Sequence, residues 1–598
     1  DVSPSGQPVY LGDLARVERV EGEPRSLCRY NGEPAVLVSV EMQEGYNIVD
    51  FGNELRAKLA RVRGAMPPDL QIDILADQPA VVERRIAHFI REFGIAIGAV
   101  ILVTIILLPF RVALIASLAI PVTIAATFSL LHGIGVELHQ VSISALIVVL
   151  GMVVDDAIVI ADNYVEHLDR GTPRAEAAWR AATELWLPVL TATLTIIAAF
   201  LPMLIISGAV GEFIQALPVA VAVALGCSYV VAMLVTPWLC RFFIRRGLHP
   251  PEEGPRRKKF RAIDFMQSNY NRAIRAAMRH KALTLAGGAA VFALGLLLLA
   301  AVVPTRFFPT AERNQFVIHF WLPEGARLEK TDAVVRRVEE RLRKEPLVTS
   351  FASFVGDSAP RFYYNVDPEF PARNYAQMLV NTRSAGDTPP LVYRLRRELG
   401  RLAPEALVIV RELEQGTVMK APVEVRIVSA QDGEEGLRRL RELGARVEAV
   451  LRRTPGAEYV LQDFHEDAPE LALRVSEEVA NRLGFSTATL ALQMAGGFSG
   501  LPVTVFWEGD RDIPVVLRLE EEYRSRFEDV EDAYVVSTLT GARVPLRSVA
   551  RVEPEWRPAR ILRRNGLRTL TVLAIPDEAH LPSGVLKAAQ KELAKIPM

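Results

Sequence analysis

Two adjacent aspartates, Asp155 and Asp156, interrupt the apolar run Leu150-Gly151-Met152-Val153-Val154-Asp155-Asp156-Ala157-Ile158-Val159-Ile160. Placing one charged aspartate at the centre of a membrane helix costs about 2.5–3.5 kcal/mol on insertion scales, and a pair costs more. Acids persist at that depth when they face the interior of a helix bundle and exchange protons or hold a cation. Neighbours on a helix point about 100° apart, so the two need not do the same work. A bland alternative is a protonated acid that only ties helices together, but two adjacent acids are a poor way to obtain that. Asp162 and Glu166, one and two turns further on, read as a solvated helix end.

Other chemistry is thinly represented. The chain has no Gly-rich loop ending in Lys-Ser/Thr, no G-x-S-x-G and no H-E-x-x-H, so no enzyme class has supporting residues. Cys28, Cys227 and Cys240 fit neither a metal knuckle nor a disulfide framework. No metal or cofactor is expected. Met378, Met419 and Met494 could ligate a soft metal only if the fold gathered them, and ordinary packing is the simpler account. Phe316, Phe320, Phe354, Phe362, Tyr363 and Tyr364 could line an apolar cleft, although packing in strand cores accounts for most of them. The net charge of -1 leaves no basic field for nucleic acid.

The elements that must position the aspartates are helices. Six apolar runs reach the roughly 20 residues that a bilayer needs, near 88–109, 111–132, 139–165, 187–207, 213–243 and 281–303. Pro109-Phe110-Arg111 joins the first two in a tight hairpin. Positive loops lie between the third and fourth runs (Arg170, Arg174, Arg180) and between the fifth and sixth (Arg245, Arg246, Arg256-Arg257-Lys258-Lys259, Arg261). By the positive-inside rule these loops are cytoplasmic, which places 1–82 and everything after about 304 on the other side. Arg84, Arg85 and Arg91 run against that asymmetry. Residues 262–279 have apolar residues at helical spacing with a basic flank. They read either as a helix on the inner leaflet or as the cytoplasmic start of the last span.

Charged residues are 23% of a chain that is 50% hydrophobic, so soluble modules accompany the membrane region. From 310 onward, strands alternate with helices in split β-α-β order: 316–322, 328–344 and 348–355, then 423–428, 436–453, 459–462 and 471–475. Gly496 to Trp507 reads as an exposed hairpin or loop. A repeat crosses the chain. The segment starting at Val9, with Ala15-Arg16-Val17-Glu18, matches the one starting at Val544, with Ala550-Arg551-Val552-Glu553. Arg29-Tyr30-Asn31-Gly32 then parallels Arg563-Arg564-Asn565-Gly566. Each pair precedes a β-rich run and a helix. The chain therefore reads as nearly one full repeat, cut out of phase from a parent with two similar halves, an arrangement common in transporters.

With these residues in view, the chain resembles the resistance-nodulation-division permeases, in their hydrophobe/amphiphile (acriflavine-resistance-like) efflux branch. Gly151 to Val159 is similar to the family's fourth-helix signature. Ala119-Ile120-Pro121-Val122, Phe200-Leu201-Pro202, Gly211-Glu212-Phe213 and Thr236-Pro237-Trp238-Leu239-Cys240 resemble its neighbouring helix motifs. Arg306-Phe307-Phe308-Pro309 and Ala421-Pro422-Val423-Glu424-Val425 resemble segments of its second outer domain.

The resemblance implies a multidomain membrane protein with an all-α transmembrane bundle and α+β (split β-α-β, ferredoxin-like) extracytoplasmic porter and docking subdomains. The expected division is 1–82, end of the first porter/docking region; 83–309, membrane bundle; 310–420, a porter subdomain; 421–476 with 555–598, a second porter subdomain; and 477–554, a docking subdomain. It implies a fragment of a proton-coupled exporter of apolar or amphiphilic compounds. That exporter would be a homotrimer in the cytoplasmic membrane, among its lipids, working with a periplasmic adaptor and an outer-membrane channel. Asp155 and Asp156 would be the proton-relay pair, with a lysine partner on a helix of the other membrane half. Heavy-metal cation export on the same fold is an alternative, weakened because that branch usually has one acid where two stand here. A receptor or secretion accessory built on the bundle is another.

Overall fold

A computed structural model describes residues 8–136, 140–245, 261–301, 310–416, 418–431 and 433–597. Arg246, the basic run at 256–259 and the Arg306–Pro309 motif lie outside the described residues.

The chain opens with a hairpin of β1 (Leu27–Tyr30) and β2 (Glu33–Pro34), followed by α1 (Ile48–Ala65). Asn31 and Gly32 turn the hairpin with φ of 51° and 84°. Two consecutive positive φ angles define the type I′ turn, and Asn-Gly is its favoured sequence. The side chain of Asn47 caps α1 through the amides of Val49 and Asp50.

Next come α2 (Gln78–Leu107), α3 (Phe110–Gly133), α4 (Gln140–Asp169), α5 (Arg174–Phe200), α6 (Ala216–Val230), α7 (Thr236–Phe243), α8 (Arg261–Arg279) and α9 (Lys281–Ala301). Among the described residues, six helical stretches are long and apolar enough to cross a membrane: Gln78–Ile106, Phe110–Gly133, Val141–Asp169, Arg174–Ile205, Gly211–Phe243 and Lys281–Leu299. They correspond one for one to the six apolar runs. Two begin earlier than those runs because the helix continues through polar flanks. Asp77 caps α2 well before its apolar stretch, and Pro173 precedes an amphipathic first half of α5. Helix α8 ends at Arg279, and only His280 separates it from α9.

Helix α4 is the central member of the bundle. Val149 and Val153 pack with Leu131, Ala220, Val221 and Ala224. Leu150 and Val154 pack with Ala116 and Ile120. Tyr164 is fully buried beside Ile115, Ala177 and Cys240, and its hydroxyl donates to the Ile244 carbonyl at 3.2 Å.

Among the described residues, the soluble part holds two larger sheets with helices packed on them and three two-stranded pairs. The first contains β3 (Gln315–Trp321), β4 (Val348–Val355), β5 (Tyr375–Thr382) and β6 (Leu407–Glu412), with α10 (Leu328–Arg343) after β3 and α11 (Thr388–Leu402) after β5. The order is β2-β1-β4-β5-β3-β6. The amino-terminal hairpin thus extends this sheet, with Leu27 opposite Val355 and Tyr30 opposite Ala352. Strand pairing crosses the expected division between 1–82 and 310–420. A buried ion cluster fixes it: Arg29 pairs with Glu339 at 2.9 Å and also with Asp332, both on α10.

The second sheet contains β7 (Val423–Ser429) and β8 (Ala457–Gln462), separated by α12 (Gly433–Arg453). Strand β9 (Asp467–Val475) then leads to a smaller core around Phe485, Leu490, Val535, Leu546 and Val549. That region includes α13 (Thr487–Phe498), an exposed hairpin of β10 (Leu501–Glu508) and β11 (Arg511–Leu517), and a short pair of β12 (Tyr534–Val536) and β13 (Arg543–Pro545). Strand β14 (Ala550–Pro558) returns antiparallel to β9. The chain then makes β15 (Arg563–Arg564), β16 (Leu567–Pro576) and α14 (Pro582–Leu593). Strand β16 pairs with β15, β7 and β8. Asn565 and Gly566 turn β15 into β16 with φ of 52° and 80°, the same turn as Asn31-Gly32.

The molecule is a membrane protein with helical and α+β parts.

Candidate functional site

Apolar contacts occupy three sides of α4, and its remaining face holds the aspartates. Met152, Asp155, Asp156 and Val159 follow the i, i+3, i+4, i+7 spacing of one helical stripe. All four border a half-open cavity of about 320 Å³, lined opposite by Pro188, Val189, Ala192 and Ile196 of α5 and by Leu225 of α6. Asp155 is exposed to the cavity side and Asp156 is half-buried.

The two acids differ in their contacts. The hydroxyl of Ser228, on α6, lies 2.9 Å from Oδ2 of Asp156 and 3.0 Å from the Val153 carbonyl oxygen. Its one proton can go to either acceptor. An ionised Asp156 accepts it. A protonated Asp156 donates to the Ser228 oxygen, which then turns its own proton to Val153. Both protonation states are therefore satisfied without backbone movement. Among the described residues, neither carboxylate has a cationic partner.

Helix irregularities surround this point. Pro188 stands inside α5 and borders the cavity. Its missing N–H leaves a carbonyl one turn back without its helical donor. A π turn spans Val231–Val235, shortly after Ser228 and just before Pro237. Such turns are frequent at functional sites.

The sequence reading names Asp155 and Asp156, and the fold brings them together on one cavity. Ser228 and Pro188 were not legible. A lone serine in an apolar helix usually bonds to its own preceding turn, so nothing in the sequence distinguishes Ser228. Asp162 is exposed and Glu166 pairs with Arg170, as expected of a solvated helix end.

Methionines are not gathered. Met378 and Met494 lie in different cores and Met419 is exposed. Among the described residues, no group of three or more His, Cys, Asp or Glu could hold a metal. Phe316, Phe320 and Phe354 are buried in the first sheet module, while Tyr364 is exposed.

The two sheet modules meet at an aromatic joint. The ring of Trp321 lies 4.4 Å from that of Tyr375 and 4.4 Å from that of His465, and Arg560 stands 5.9 Å above it. His465 occupies the left-handed region at φ 54°. Burial, with Arg560 and Lys420 adding, pushes its pKa down to about 4. His319 contacts the Tyr375 hydroxyl at 2.9 Å, and burial followed by Arg411 pushes it down to about 3. Both rings are neutral at pH 7.

The chain is 26% identical over 584 residues to the multidrug resistance protein MdtC of Yersinia pestis bv. Antiqua (strain Angola), covering 96% of this chain and 55% of the relative. The MdtC of Yersinia pseudotuberculosis serotype O:3 (strain YPIII) gives the same figures. The chain spans about half the length of the curated relatives it matches. The model of the AcrB/AcrD/AcrF family matches residues 2–598. The chain belongs to the AcrB/AcrD/AcrF family of resistance-nodulation-division permeases.

Proposed function

We propose that this chain is part of a proton-coupled exporter of apolar or amphiphilic compounds, such as drugs, in the cytoplasmic membrane. The observation that carries the reading is the adjacent pair Asp155 and Asp156, on one cavity inside a bundle of membrane-spanning length. Protonation removes charge from α4, and the helices around the cavity repack. The soluble modules, read as ferredoxin-like porter units with a docking unit, reshape a substrate path away from the membrane. Coupling of this kind needs an element with two arrangements that the proton biases. The cavity beside Pro188 and the π turn after Ser228 are where α5 and α6 can shift.

The full-length protein is a homotrimer in this reading and works with a periplasmic adaptor and an outer channel. Its basic loops, including Arg170 and Arg174, face the cytoplasm. The test is gradient-driven export by the full-length protein carrying Asp155→Asn or Asp156→Asn. Export is expected to be abolished with the protein still folded and still binding substrate. Unchanged export in both variants at normal expression would assign the aspartates a structural role.

A further inference from the structure

Arg313, just before β3, is a buried guanidinium without a counter-ion. It is 8% exposed. Its Nη2 donates to the Gln78 side chain at 2.8 Å, and its Cζ lies 5.2 Å from the Tyr363 ring centre. Its Nε has no partner. Among the described residues no carboxylate pairs with it. A charge left this way is costly unless something anionic completes it.

Its surroundings add positive charge. Arg85 of α2 donates to both the carboxylate and the carbonyl of Glu312, at 3.2 and 2.9 Å, which fixes a second guanidinium one residue from Arg313. Arg84 follows on the exposed side of α2. The nearby acids Asp77 and Glu83 are engaged by Arg56. Gln78 is the first residue of α2, whose amino terminus Asp77 caps, and Arg84 and Arg85 follow about two turns further on. Further along the helix face that carries Arg84, past the exposed Arg91, Ile95, Leu102 and Ile106 are exposed. The cluster therefore stands where polar surface gives way to apolar surface. Arg84 and Arg85 are also two of the three arginines that run against the charge asymmetry of the loops.

We propose that Arg84, Arg85 and Arg313 bind the phosphate of a phospholipid headgroup at the membrane face that carries the soluble modules. The guanidinium fork matches phosphate geometry, and the exposed apolar residues of α2 receive the acyl chains. The proposal rests on α2 being a membrane span and is independent of proton coupling. Free phosphate offers the same oxygen ligands but no reason for the adjoining apolar strip.

The experiment uses full-length protein in vesicles of phosphatidylcholine with phosphatidylglycerol, then partial delipidation and mass spectrometry of the retained lipid. Wild-type protein is expected to retain phosphatidylglycerol preferentially. Arg84→Gln with Arg85→Gln is expected to lower that retention by about five-fold per arginine, while the remote Arg482→Gln leaves it unchanged. Because Arg313→Gln removes a buried contact, the surface pair carries the test. Equal retention by the double variant would overturn the site. Displacement of the lipid by millimolar inorganic phosphate alone would overturn the lipid assignment in favour of a free anion.

Discussion

The Ser228 hydroxyl and the Asp156 carboxylate face each other across α4 and α6 at 2.9 Å. Among the described residues, that hydroxyl is the one polar side chain hydrogen-bonded to either acid, and it can serve the acid with or without its proton. Replacing it separates chemistry from packing. Ser228→Ala in the full-length protein is expected to slow gradient-driven export by about ten-fold, as for loss of one hydrogen bond to a charged group. Ser228→Thr is expected to retain most activity. A wild-type rate for Ser228→Ala would remove this residue from the mechanism.

The Arg29 cluster makes a second prediction. Its guanidinium is buried against Glu339 and Asp332, and it ties the amino-terminal hairpin to α10. Arg29→Met leaves two acids facing an apolar side chain. Breaking a buried pair from one side costs about 3–5 kcal/mol. The expected result is early release of residues 27–34 in limited proteolysis, and partial rescue when Glu339→Gln is added. No change in cleavage would count against the cluster as the anchor.

Acid is expected to loosen the joint between the two sheet modules. His465 and His319 have folded pKa values of about 4 and about 3, below the roughly 6.5 of an unfolded histidine. The folded state therefore binds fewer protons than the unfolded one in this window. The associated stability is present above about pH 6.5 and is lost progressively as pH falls toward those lower values. Thermal unfolding midpoints measured from pH 7 to pH 4 should fall. His465→Asn, which tolerates the left-handed backbone, should flatten part of that slope. An identical slope in the variant would exclude His465 as a contributor.

The paired turns predict matched sensitivities. Asn31 and Asn565 both hold φ near +50° before a glycine. A branched residue there meets a steric cost of roughly 1–2 kcal/mol. Asn31→Val and Asn565→Val should each lower the unfolding midpoint, and the glycine variants should not. A neutral valine at either place would mean that the turn can be rebuilt in another form.

Much of this architecture was legible because its signals are local. Six apolar runs, the acids at 155 and 156 and the Asn-Gly turns each declare themselves within a few residues. The pairing of Leu27 with Val355 was not legible, because no local pattern tells which distant strand an edge will meet. Ser228 was hidden for the same reason: its meaning comes from the neighbouring helix. The helix starts at Gln78 and Arg174 were missed because an apolarity criterion stops at charges that a helix passes through. Arg84, Arg85 and Arg313 became informative only when the fold set charges from distant segments together.

The two copies of the repeat share the Asn-Gly turn but differ around it: Ala550–Glu553 and Leu567–Pro576 lie in strands, whereas 15–18 and 35–42 do not. Strand β16 is bonded along both edges, whereas the matching stretch after β2 leaves Val36, Val38 and Val40 exposed at 92%, 80% and 51%. This uncovered apolar stretch, which also exposes Leu37 and forms no strand with the rest of the described chain, is open to pairing with another extended chain. Produced alone and concentrated, this polypeptide is expected to self-associate through residues 35–42, and lysine at position 38 should raise the concentration at which that begins. The weak point for anyone handling the protein is thus its exposed amino-terminal valines, and the greasy helices are only the more obvious suspect.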